Sequence, residues 1–240
     1  MKSKIILSIC LGFMLSVGCI QNKKMQVEII NPPSFSISNN RLIEITDSKM
    51  INACPVTNVL GEEGPEICKK EVTKITYFKI GDVTRLFACV GYSYDGAHFD
   101  PGQNGYILAE YKDSDWTIID FLQVEHDGCW GNSIEIDNYF ILGNNSFAYY
   151  SNSCAIAQGF SSCTSHIIGF VNDKIAVLLN QQNSEDNSAS GEEPINNWHY
   201  NYKPIPSKNE VFAIEREYYK LDKHVETITL NYNPQSMKFE

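Results

Sequence analysis

Clustered positive charge is what this chain most lacks, for its arginines are only Arg41, Arg85 and Arg216. Nucleic-acid backbones are held by groups of cations that displace counterions, and with no such group nucleic-acid binding drops out. Signatures of catalysis are missing too. There is no G-x-S-x-G elbow, no H-E-x-x-H pair, no G-x-x-x-x-G-K phosphate cradle and no D-x-D-x-D-G calcium loop. No two cysteines have C-x-x-C spacing, which argues against a zinc site. Past the first twenty residues no segment holds a helical period for three turns, so the chain reads as nearly all β.

What is present begins at the first residue. Lys2 and Lys4 form a basic start, residues 5–17 are an apolar run, and the small Gly18 precedes Cys19. Such a run is too short to cross a bilayer as a mature helix and reads as a secretory signal. Leu15-Ser16-Val17-Gly18-Cys19 resembles the lipobox of bacterial lipoproteins, with Ser16 where a large aliphatic residue is usual and Leu15 one place further back. The resemblance implies that residues 1–18 are removed and that Cys19, diacylated, becomes the mature N-terminus. An ordinary cleaved signal is the alternative. The expected organisation is therefore a signal peptide over 1–18, a lipid-anchored tether over 19–40 and a single β-rich domain over 41–240. The formal charge of −10 becomes −12 once Lys2 and Lys4 are lost. That acidity suits a body held off an anionic membrane, and it suits a basic protein partner.

Six cysteines remain beyond Cys10 and Cys19: Cys54, Cys68, Cys89, Cys129, Cys154 and Cys163. An even number in an exported chain reads as three disulfides. Proximity favours Cys154 with Cys163 and Cys54 with Cys68, which leaves Cys89 for Cys129.

Short β-branched and aromatic runs separated by turn residues predict strands over 72–80, 84–93, 105–112, 116–124, 133–142, 147–153, 164–171, 174–180, 198–203, 210–220 and 225–232. Gly81-Asp82, Asn104-Gly105, Asp113-Ser114-Asp115, Asn144-Asn145, Asn172-Asp173 and Asp222-Lys223 mark the expected reversals. The hairpin over 105–120 resembles those over 165–179 and 210–230, each preceded by a further strand. The expected fold is all-β and antiparallel, with propeller-like blades of three to four strands or, alternatively, a twisted β-sandwich.

Two loops carry candidate chemistry. Asp95, His98 and Asp100 fall within six residues and could hold a calcium ion or present charge to a partner. His126, between Glu125 and Asp127, has the neighbours of a general base, although a loop ending in a structural disulfide at Cys129 explains the same residues. His166, His199 and His224 read as structural. The aromatics around Tyr149-Tyr150, Trp198-His199-Tyr200 and Tyr218-Tyr219 fit strand packing or a recognition surface. Residues 181–193, rich in Ser, Asn and Glu, read as a solvated loop. No metal or cofactor is expected. These features point to a non-catalytic, lipid-anchored binding module of the bacterial envelope, facing the periplasm or the exterior. Its expected partner is a protein, met through Asp95, His98 and Asp100, as in an inhibitor or immunity-type protein that occludes a toxin or a wall-degrading enzyme. The alternatives are an envelope hydrolase using Asp95 and His98 or His126, and a structural or assembly lipoprotein.

Overall fold

The computed structural model describes residues 26–51, 68–94, 102–126, 132–157, 159–191 and 196–240. Its framework is antiparallel β, as the alternation of apolar and polar residues predicts. A first sheet orders β1 (Val27–Ile30), β2 (Lys69–Ile80), β3 (Val83–Ser93), β4 (Gly102–Lys112) and β5 (Asp115–His126) side by side. A second sheet takes seven strands in chain order: β6 (Asn138–Gly143), β7 (Ser146–Ala157), β8 (Phe160–Val171), β9 (Lys174–Asp186), β10 (Asn197–Ile205), β11 (Ala213–Lys220) and β12 (Lys223–Leu230). β13 (Tyr232–Asn233) and β14 (Lys238–Phe239) form a small terminal ribbon.

Turn chemistry sets the hairpins. Asp113-Ser114, Asn172-Asp173 and Leu221-Asp222 each place two residues at positive φ, between 47° and 69°, the twist that two-residue hairpin turns require. Asn104-Gly105, expected to reverse the chain, instead lies inside β4. Asn104 is buried and exchanges hydrogen bonds with the backbone of Ile134. Gly105 has no room for a side chain, because a Cβ there would meet Thr46 Cγ2 at 2.4 Å.

The two sheets pack face to face, which selects the sandwich over the propeller. Phe78, Phe87, Tyr106 and Leu108 from β2 to β4 meet Phe147, Tyr149, Ile168 and Phe170 from β7 and β8. Tyr149 OH crosses the gap to donate to Phe87 O at 2.6 Å. At the edge, Arg85 pairs with Glu110 and with Asp173 of the β8–β9 turn. The resembling hairpins are real, but the second and third copies are not separate blades. β9 runs on to Asp186, so residues 181–186, read as loop, pair with β8 and receive β10 through Asn197, Trp198 and His199. That pairing fuses both copies into one sheet.

The other face of the first sheet is covered by a helix that the sequence reading missed. α1 (Asn39–Asp47) starts at Ser38, whose hydroxyl accepts from Arg41 N, and it buries Leu42 and Thr46 against the sheet. Two buried residues over nine do not make a sustained helical period, which is why the pattern was silent. β1 also pairs with β2 from Val27 to Ile30, so the folded body begins inside the stretch expected to be a tether.

Candidate ligand-binding cleft

The second sheet curls. β10 joins only the far end of β9, and the chain then returns so that Phe212 N donates to Leu142 O at 2.6 Å and Val211 bridges Gly143. The outward face of β6 to β9 thereby becomes the concave face of a trough, although the sheet stays open. Period-two alternation decides what lines it. On β7 Phe147 and Tyr149 point to the inter-sheet core, and Ala148, Tyr150, Asn152 and Cys154 point to the trough. On β10 the trough face is Trp198, Tyr200 and Tyr202. On β11 it is Ile214, Arg216 and Tyr218, directly opposite Pro204, Tyr202 and Tyr200.

The trough is graded along its length. Its base is dry, with Leu142, Ala148, Ile167, Leu178, Leu179, Ile214 and Leu230 packed together. Above this comes a polar belt centred on Asn152. Asn152 Oδ1 accepts from Tyr150 OH at 3.1 Å, Ser165 Oγ at 2.7 Å and Asn183 Nδ2 at 3.3 Å. Asn152 N and Nδ2 both donate to Asp137 Oδ2. A rim of half-buried aromatics follows, in which Tyr200 contacts Trp198 at 5.4 Å and Tyr218 at 5.3 Å. The Arg216 guanidinium lies 4.5 Å from the centre of the Tyr200 ring and donates to Gln181 Oε1 at 2.7 Å. Among the described residues no carboxylate pairs with Arg216.

Between β6, β7 and β10 the trough opens into a cleft of about 630 Å³, lined by Asp137, Asn138, Phe140, Tyr150, Asn152, Cys154, Asn201 and Tyr202. Two buried polar atoms of the trough, Asn183 Oδ1 and Tyr202 OH, have no hydrogen-bond partner among the described residues. Burial raises the Tyr202 phenol well above its ordinary pKa, and the Arg216 charge pulls against that only in part. The hydroxyl therefore stays protonated and able to donate.

The sequence-predicted residues fare unevenly. Cys154 and Cys163 are bonded, as expected, directly across β7 and β8 at the outer end of the trough. Cys68 is disulfide-bonded. Cys54, Cys129, Cys19, Asp95, His98 and Asp100 lie outside the described residues. Cys89 corrects the three-bridge framework: it is a free, fully buried thiol. It sits mid-strand in the inter-sheet core, with Asn104 Nδ2 donating to its sulfur at 3.0 Å, and burial pushes the thiol up. His126 ends β5, and the neighbouring Glu125 accepts from Gln103 across the ladder. His199 stacks on Tyr219 on the convex face, away from the trough. Among the described residues no three His, Cys, Asp or Glu side chains converge to hold a metal. No helix there is long and apolar enough to cross a membrane.

Trp198, Tyr200 and Tyr218, read from the sequence as strand packing or a recognition surface, are gathered by the fold on one face. Asn152, Ser165, Asn183, Gln181 and Arg216 were not legible, since nothing in their local sequence sets them apart. The alternation Trp198-x-Tyr200-x-Tyr202 was the one available signal, and its meaning depends on the curl. The chain matches no protein-family model, and neither a curated protein nor a solved structure gives a match to it.

Proposed function

We propose that the protein is a lipid-anchored binding module of the cell envelope, held at Cys19, whose curled sheet captures a ligand in its trough. One observation carries this reading: aromatic rings, amides and a cation without an ion-pair partner among the described residues converge on a single concave strand face. Binding sites combine apolar walls with a few placed polar groups, and sites on strands are held more rigidly than sites on loops. The Cys154–Cys163 bond staples the two strands that carry Asn152 and Ser165, which limits the ordering cost of capture. An occluding, inhibitor or immunity-type role is compatible with the same trough, which would then receive a projecting group of the partner.

The test is retention on isolated envelope material. The paired change Trp198→Ala with Tyr200→Ala, in chains shown by circular dichroism to be folded, should abolish it. His98→Ala and His126→Ala should leave it intact. Retention of the aromatic variant, or loss in the histidine variants, overturns the reading and favours the hydrolase. Labelled palmitate incorporated by the wild type and lost in Cys19→Ser checks the anchor.

A further inference from the structure

We propose that the trough is a saccharide-binding site that takes a sugar chain bearing carboxylate groups; this rests on the binding reading above. The lining excludes a purely apolar ligand. Covering Asp137, Asn152 and Asn183 with hydrocarbon would strand polar atoms away from water, at a cost that apolar contact with the rim does not offset. It equally disfavours a ligand that is polar all round, because Trp198, Tyr200 and Tyr218 would then lose their water for nothing. A sugar ring presents C–H groups on its faces and hydroxyls at its edge, so it meets both demands at once. The faces sit on the aromatic rim. The hydroxyls reach the amide belt, where Asn183 Oδ1 accepts and Tyr202 OH donates, two buried atoms of the trough that have no partner among the described residues.

Charge narrows the class. Arg216 is half-buried and fixed in place by the Tyr200 ring and Gln181, and although Glu185 and Glu226 stand opposite Trp198 and Tyr218 on the neighbouring strands, among the described residues no carboxylate forms an ion pair with it. A guanidinium presents a planar fork that matches a carboxylate in two parallel hydrogen bonds, so the missing counter-charge is one the ligand brings. The net charge of −10 repels a dense polyanion at a distance. The fitting chain is therefore sparsely charged, with a carboxylate on some of its rings rather than on all. A protein partner offers fewer ring faces flanked by hydroxyls, and it is an outcome of the test below.

Titration calorimetry on the full-length protein decides the matter with two chains that share one backbone. Glycan strands of peptidoglycan, trimmed of peptide, carry a lactyl carboxylate on alternate rings. Chito-oligosaccharides of the same length carry none. Hyaluronan oligosaccharides supply a second sparsely acidic chain. At least one acidic chain should bind about tenfold or more tightly than the neutral one, the difference expected for a charged hydrogen-bonded contact. Arg216→Gln should erase that preference, and Trp198→Ala should weaken both classes, with unchanged thermal melting as the check on folding. Equal affinity for the acidic and the neutral chains, or a preference that survives Arg216→Gln, overturns the proposal. If no saccharide binds while retention on envelope material still depends on Trp198 and Tyr200, the ligand is of another class, a protein first, and only this proposal falls. If retention is also absent, the binding reading falls with it.

Discussion

Tyr149 and Tyr150 are neighbours on one strand and face two different environments. Tyr149 lies between the sheets at 1% exposure, its hydroxyl spent on Phe87 O and Thr76, its ring edge-on to Phe147 at 5.5 Å. Tyr150 lies in the trough, half-buried, its hydroxyl shared among Asn152 and Ser165. The two sides of β7 thus use the same residue type for opposite ends. In the inter-sheet core aromatics fill volume, with the Tyr106 hydroxyl the buried exception left without a partner, whereas in the trough they stand beside a belt of amides in which Asn183 Oδ1 and Tyr202 OH lack a partner among the described residues. A dry face converts burial into stability, whereas a concave face with unpaired polar atoms leaves stability unclaimed, as the proposed binding role would require.

The contrast can be broken most directly in the core. Phe147→Ala removes a fully buried ring that touches Phe78, Phe87, Tyr149 and Phe170, and it should cost about 3–5 kcal/mol in urea unfolding. Tyr200→Ala in the trough should cost under half as much. Similar losses at the two positions would mean that the trough is packed like a core. The disulfide comes next: replacing Cys154 and Cys163 with serine together should lower stability by about 2–3 kcal/mol. Envelope retention should weaken as well, because the strands bearing Asn152 and Ser165 are then free to shear. Unchanged stability in the double variant would mean the bond is dispensable to the scaffold.

Tyr149→Phe is the finer probe. It leaves Phe87 O without its donor and should cost about 1–2 kcal/mol. It also bears on alkaline stability. Burial raises the phenol pKa of Tyr106, Tyr149 and Tyr202 above the ordinary 10.0, so the folded state favours the protonated form. Their contribution is fully present below pH 10 and is lost as pH rises from there through the folded values. Denaturant midpoints should stay level near pH 8 to 9 and fall steeply above about 10, with a smaller fall in Tyr149→Phe. A midpoint that stays level past pH 11 would place these hydroxyls in water.

Much of the scaffold could be read from residues alone, because hairpins are local. Asp113-Ser114 and Asn172-Asp173 announced their turns, and the β-branched runs beside them announced the strands. The trough could not be read, since a curl is a relation among strands far apart in sequence. Residues 181–186 show why. Gln181, Gln182, Asn183, Ser184 and Glu185 have the composition of a loop, yet they form the end of β9, where Gln181 receives Arg216 and Asn183 joins the amide belt. The polarity of Gln181 and Asn183 reflects the trough's hydrogen-bond network, while Gln182 faces solvent. Cys89 misled for a related reason: counting pairs cysteines by number, whereas a mid-strand position opposite Tyr106 keeps the thiol buried, filling space and accepting from Asn104.

The early start of β1 changes the mechanics of attachment. With Val27 already hydrogen-bonded in the sheet, only residues 20–26 remain between the proposed acyl-bearing Cys19 and the folded body, instead of the stretch reaching to residue 40. Seven residues pulled straight reach about 25 Å at most. Under the proposed anchoring the leash is shorter than the roughly 40 Å that the thirteen residues of β9 span, and the protein would not sweep a large volume or meet a target deep in the compartment. A chain acylated at Cys19 would work as a fixture at the bilayer surface, met by whatever passes within a few nanometres.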